Sequence, residues 1–226
     1  SLRSLHLTNI ALHVLVAFAI FWLISILCNN WPLPLLTSIF FLVHPVHTEA
    51  VSYMSGRVDS LVTLFMLLSV IFYIKNLRTK DTTFYILMLI SYILALLSKE
   101  NSLMLPLILI LYHCSFSVSP DIAKREKIRG SVAFVSVIVT SFIYVLFRLI
   151  VLESALLEVP EASGIFQRVP GVFVAIINYT RILLFPTGLH MEYGKTLFTF
   201  GDMRAICGLL MFFFLVIYAF KIKKKK

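Results

Sequence analysis

The chain has 226 residues, 60% of them hydrophobic and 14% charged, with 20 Phe and a mean hydropathy of +0.96. Soluble domains are about half apolar and about a quarter charged, so the composition excludes a soluble globular domain and requires an integral membrane protein. The 20 Lys and Arg outnumber the 11 Asp and Glu, but the excess lies in short clusters between apolar runs, which signals orientation in a bilayer and argues against nucleic acid as a partner.

A hydrocarbon core about 30 Å thick takes ~20 apolar residues of helix per crossing. The first such run is Leu7 to Cys28. Leu33 to Val43 is apolar for 11 residues before it meets His44, Pro45, His47 and Glu49, and it reads as a crossing, Leu33 to Met54, whose far end is polar. Ser60 to Ile74, Thr82 to Leu97 and Ser102 to Phe116 are short runs that must extend into their flanks, and Ser131 to Leu152 is a full span. Gly171 to Phe185 contains Asn178 and Arg181 and is bracketed by Pro170 and Pro186, which predicts a tilted, re-entrant or interfacial helix. Arg204 to Phe220 is the last span, followed by a lysine tail. The fold class is therefore all-α: one polytopic membrane domain over residues 1–226, with about seven transmembrane helices, one interfacial helix and a long loop at about 153–203.

Lys75, Arg78 and Lys80 form one basic cluster, Lys124, Arg125, Lys127 and Arg129 a second, and Lys221 with Lys223 to Lys226 a third. Cytoplasmic loops concentrate Lys and Arg. All three clusters share a side only if Leu33 to Met54 crosses and Gly171 to Phe185 does not, which makes the carboxyl terminus cytoplasmic. The chain starts without Met, at a polar Ser-Leu-Arg-Ser, and reads as truncated. Cys28, Cys114 and Cys207 lie in or beside separate apolar runs with no paired spacing, and read as small apolar residues.

The opposite, exoplasmic side collects the remaining polar residues, whereas a simple anchor needs none of them. His44 and His47, at a spacing that shares a helical face, stand with Glu49 as ligands for a divalent ion, as a structural end to the helix, or as contacts to a polar substrate; spacing supplies no fourth metal ligand. Arg57 and Asp59 are either an exposed pair marking the interface or, with Gly56 permitting close approach, part of a site. Lys99 and Glu100 are a neutralised turn or a phosphate-holding group at the start of the next helix. Arg181 and Tyr193 end the interfacial segment as anchors or as further substrate contacts. His6, His13 and His113 read as packing residues.

The stretch Phe41-Leu-Val-His-Pro-Val-His-Thr-Glu-Ala-Val51, followed by Ser55-Gly-Arg-Val-Asp59, closely resembles a motif of the transmembrane and tetratricopeptide-repeat-containing family of C-type (GT-C) membrane glycosyltransferases. Leu5-His-Leu-Thr-Asn9, Leu97-Ser-Lys-Glu100 with Leu105-Pro106, and Leu184-Phe-Pro-Thr-Gly-Leu-His-Met-Glu-Tyr193 are similar to three more of its segments. The resemblance implies a mannosyltransferase that moves a hexose from a polyprenyl- or dolichyl-phosphate carrier to protein hydroxyls on the exoplasmic face. The partners are then the bilayer, the lipid-linked sugar and a protein acceptor, and the membrane is the endoplasmic reticulum or a prokaryotic plasma membrane. No cofactor beyond this donor is implied, and metal dependence stays open. His44, His47, Glu49, Arg57, Asp59, Lys99, Glu100, Arg181 and Tyr193 are the implied substrate-binding residues. The family's catalytic carboxylate precedes the segment matching residue 5, so this chain is expected to be an incomplete module, inactive alone. A non-catalytic scaffold of the same fold is the rival reading, and a transporter is disfavoured because only Arg148 is charged within the inner spans.

Overall fold

The computed structural model describes residues 2–28, 30–53, 56–79, 81–115, 123–152, 165–188 and 198–223; the side chains of residues 2–5, 49, 114–115, 123–129, 152, 165–168, 215–216 and 218–223 are not among them. Among the described residues there are helices and turns and no strand. Two compact units, Ser1–Glu153 and Ser154–Lys226, are distinguished.

The first unit contains α1 (Leu2–Leu27), α2 (Pro32–Val43), a 3-10 turn (Pro45–His47), α3 (Thr48–Ser52), α4 (Arg57–Arg78), α5 (Thr82–Ser98), a second 3-10 turn (Glu100–Met104), α6 (Leu105–Ser115) and α7 (Ala123–Leu152). His6–Leu27, Arg57–Arg78 and Gly130–Val151 are long and apolar enough to cross a bilayer, while Pro32–Val43 and Thr82–Ser98 are shorter apolar helices. The short run from Ser60 lengthens at both ends as expected, because Asp59 sits favourably in the first turn of α4 and Lys75 and Arg78 in its last.

Contacts fix the direction of each element. Asn9 bonds to Val51 and Tyr53, while Arg78 donates to the Ile26 carbonyl. α4 thus runs parallel to α1, and the chain between them must return across the unit. α2 alone, 12 residues and about 18 Å, is too short for that passage; the 3-10 turn and α3 complete it. Pro45 explains the break, since it lacks an N–H and drives the preceding residue out of the helical region. His44 accordingly has φ −69° and ψ 124°.

α5 runs back along α4, with the Ser69 hydroxyl donating to the Met88 carbonyl at 3.1 Å. α7 lies antiparallel to α4 and α6 and ladders along α5 through Tyr85 with Ser136 and Tyr92 with Ser141. Such interhelical hydroxyl bonds suit helices whose outer surface faces lipid. The core between them is made by Tyr73 and Ile74 of α4, Met88 and Tyr92 of α5, Leu109 of α6 and Val137 of α7.

The second unit pairs α8 (Ile165–Leu184) with α9 (Met203–Lys223). Their approach depends on Gly208, where an added Cβ would lie 2.0 Å from the Phe173 carbonyl oxygen. α8 begins six residues before Gly171, so Pro170 sits inside the helix instead of bounding it. The helix tolerates this one turn from its start, where few carbonyl-to-amide bonds are lost.

Candidate functional site

Because alternate elements reverse direction, one end of the first unit gathers Asn9 and His13, the 44–53 corner, the start of α4, the α5–α6 junction and the end of α7. The three sequence segments singled out for chemistry in residues 1–153, and the end of the resembling segment at Asn9, meet there.

Asn9, 1% exposed, anchors the corner: its amide donates to the carbonyls of Val51 at 3.3 Å and Tyr53 at 2.9 Å. Its own Oδ1 is buried without a hydrogen-bond partner. One turn along α1, His13 places Nε2 3.3 Å from the Leu42 carbonyl. A carbonyl only accepts, so Nε2 is the donor in this contact. The His13 ring stacks on Phe41 with centroids 4.9 Å apart and lies 5.4 Å from His47, which in turn is 4.2 Å from Phe41 and 6.2 Å from His44. The three imidazoles line a cavity of about 440 Å³ together with Ile10, Thr48 and Ser52.

The local backbone explains this placement and corrects one expectation. His44 and His47 do not share an α-helical face: His44 is the extended cap of the 3-10 turn, its Nδ1 accepting from the Val46 N–H at 3.2 Å, and His47 is the last residue of that turn. Thr48 donates its hydroxyl to the Pro45 carbonyl and continues into α3. Glu49 lies in α3, with its side chain outside the described residues. Gly56 closes the corner, since a Cβ there would meet the Ala50 carbonyl oxygen at 2.6 Å. The close approach read into Ser-Gly-Arg is therefore present.

The charged residues beside this corner pair differently from the sequence expectation. Asp59 is bonded to Lys99 at 2.5 Å, across forty positions of sequence, and not grouped with its neighbour Arg57, which is exposed at the first position of α4. Glu100 accepts from Arg148 at 3.0 Å, and the same guanidinium donates to the Tyr144 hydroxyl at 3.1 Å. Lys99 is extended backbone between α5 and a 3-10 turn, not the first residue of a long helix, so no strong helix dipole stands behind it. Consecutive residues Lys99 and Glu100 thus hold α4 on one side and α7 on the other. A backbone N–H at Glu100 itself, followed by the Arg148 guanidinium, keeps the Glu100 carboxyl below the usual carboxylate range.

His13, Arg148 and Tyr144 join the site although the sequence reading left them outside it. A signal existed for His13, which follows Asn9 by one helical turn, and for Arg148, the charge in an otherwise apolar span. Arg181 belongs to the second unit, exposed in the last turn of α8. Tyr193 lies outside the described residues. Among the described residues, no group of three His, Cys, Asp or Glu is arranged to hold a metal ion.

The chain is 28% identical over 228 residues to the Caenorhabditis elegans protein named Protein O-mannosyl-transferase F38B6.6, an alignment covering 94% of this chain and 31% of that protein. It is 38% identical over 77 residues to human Protein O-mannosyl-transferase TMTC2 and 41% identical over 76 residues to human TMTC4, covering 34% and 30% of this chain but 9% and 10% of those proteins. The chain thus spans about a third of the length of the worm relative. No family model matches, and no solved structure matches. These relatives bear out the resemblance read from the motifs: this is an all-α, multi-pass membrane chain similar to the TMTC protein O-mannosyl-transferases.

Proposed function

We propose that the chain is membrane machinery for mannosyl transfer to protein hydroxyls, working from a polyprenyl-phosphate donor on the exoplasmic face, with its carboxyl end in the cytoplasm. The animal sources of the relatives favour the endoplasmic reticulum over a prokaryotic plasma membrane. The observation that carries the reading is convergence: Asn9, the His44 to Glu49 corner, Arg57 with Asp59, and Lys99 with Glu100 are far apart in sequence yet occupy one end of one unit. These are the segments on which the resemblance rests.

In this reading the imidazole-lined cavity and Glu49 shape the sugar and acceptor site, while Arg57 and Lys99 serve the lipid phosphate. Transfer needs a carboxylate to accept the acceptor's hydroxyl proton and cations to stabilise the departing phosphate. Glu100 is a poor base, because the groups that lower its proton affinity favour its charged form. It and Asp59 position cations. A membrane scaffold is favoured by one observation, that Lys99 and Arg148 already have carboxylate partners.

Mannosyl transfer to a peptide by the full-length protein separates the two. Glu49→Gln and Arg57→Ala are expected to lower turnover by more than about tenfold while folded protein is retained. Normal transfer by both variants assigns the corner to structure alone.

A further inference from the structure

The other end of the first unit has a different charge balance. Lys75 and Arg78 lie in the last turns of α4 with Lys80 just beyond, and Lys124, Arg125, Lys127 and Arg129 occupy the first two turns of α7. In sequence these are separate loop clusters. The fold makes them one: the Tyr73 hydroxyl donates to the Gly130 carbonyl at 3.4 Å, and a Cβ on Gly130 would lie 3.3 Å from Leu77 Cδ2. Arg78, donating to the Ile26 carbonyl at 3.0 Å, adds the end of α1.

The described helix ends bring together the segments of Lys75 and Arg78 in α4 and of Lys124, Arg125, Lys127 and Arg129 in α7; over residues 75–81 and 121–129 the sequence holds seven basic residues against three acids, Asp81, Asp121 and Glu126. Asp81 spends one carboxylate oxygen capping α5 through the Thr83 N–H. The four cations of α7 stand at the positive end of a 30-residue helix dipole, where cations are disfavoured unless anions gather. Lys75 lies 4.7 Å from the Trp22 ring centroid and 5.1 Å from that of Phe84, and aromatic rings beside cations are usual at headgroup depth. A second cavity of about 430 Å³, lined by Phe21, Ser25, Cys28, Asn30, Trp31 and Leu35, opens at the same end, where α1 finishes and α2 begins. It is apolar with a few polar groups.

We propose that this end binds the headgroups of acidic phospholipids, with the α1–α2 cavity taking apolar or glycerol portions of the same molecules. An acidic phospholipid combines a phosphate anion with hydrocarbon, and this end combines an excess of basic residues in its sequence with an apolar lining. A soluble polyanion matches the cations and not the cavity. This inference is independent of the mannosyl-transfer reading.

The chain purified in uncharged detergent with an equal mixture of phosphatidylserine and phosphatidylcholine retains an excess of phosphatidylserine, read by mass spectrometry of the co-purified lipid. Lys124→Gln with Lys127→Gln lowers that preference, by up to about fivefold for each cation removed, whereas Lys124→Arg with Lys127→Arg keeps it. Circular dichroism confirms that each variant stays folded. Retention in the supplied ratio by the wild type, or an unchanged preference in the glutamine variant, overturns the proposal. So does displacement of the lipid by millimolar inorganic phosphate, which identifies a free-anion site.

Discussion

The two ends of the first unit handle charge in opposite ways. At the His44 corner, Lys99 meets Asp59 and Arg148 meets Glu100, so two cations far apart in sequence each have a carboxylate partner. At the basic end, Lys75 rests on aromatic rings and Arg78 on a backbone carbonyl, and the sequence of residues 75–81 and 121–129 holds seven basic residues against three acids. Charge beside apolar helix surface is expensive unless paired or put to use. The matched end therefore favours a fixed arrangement of polar groups, and the unmatched end favours attraction of something anionic. The same chain can carry both because its helices, not its loops, set which residues meet.

The strongest test of that contrast is at Lys99. If this cation serves the lipid phosphate as well as Asp59, Lys99→Met in the full-length protein weakens the apparent donor affinity by one to two decades, the loss of a charge-assisted contact of roughly 1.5–3 kcal/mol. Asp59→Asn leaves the cation in place and changes donor affinity far less. Equal, small effects of both variants on donor dependence, with loss of stability only, would make the pair a clasp. Both side chains are more than a third exposed, 37% and 55%, so the stability component alone stays below about 1 kcal/mol.

A smaller effect isolates the matched end from the rest. Gly56→Val forces a side chain against the Ala50 backbone, at 2.6–2.9 Å from its Cβ position, and backbone cannot yield as a flexible side chain would. Overpacking of this kind costs about 1–3 kcal/mol. Gly201→Ala, whose Cβ would have the Thr199 hydroxyl at 3.9 Å as its nearest neighbour, is the control and leaves the melting temperature near that of the wild type. A Gly56→Val protein that melts with the control shows that the corner is not built on this contact.

Much of this architecture is legible in the sequence because bilayer thickness imposes length and hydropathy on every span. The stop of α2 at His44 is written in Pro45, and the close approach at Gly56 in the absence of a side chain. Pairing is not so written. Nothing local to Asp59 indicates that Lys99 will reach it before Arg57 does, since that choice depends on α5 returning beside α4. His13 reads as packing for the same reason: its neighbour Phe41 arrives only when α2 packs back along α1, and His47 only with the 3-10 turn that follows. The basic clusters are visible as orientation signals, but their union requires Tyr73 and Leu77 to meet Gly130.

The smallest expected effect concerns pH and the Glu100–Arg148 pair. The folded-state carboxyl is held below its unfolded value by a backbone N–H and by Arg148. A depressed carboxyl contributes stability that is fully present above the unfolded value, near 4.3 for Glu, and is lost as pH falls through the lower folded value. Melting of the purified chain between pH 3 and pH 7 is therefore expected to show a component that fades on the acidic side and is absent in Glu100→Gln. The carboxylate is exposed to solvent, so salt screens the pair and the component shrinks further at high ionic strength. Raising salt at neutral pH should then move wild type toward Glu100→Gln while leaving the variant almost unmoved. An identical acid profile and salt response in the two proteins would show that Arg148 is held by Tyr144 and its own helix, and that the matched end is fixed by the Lys99–Asp59 pair alone.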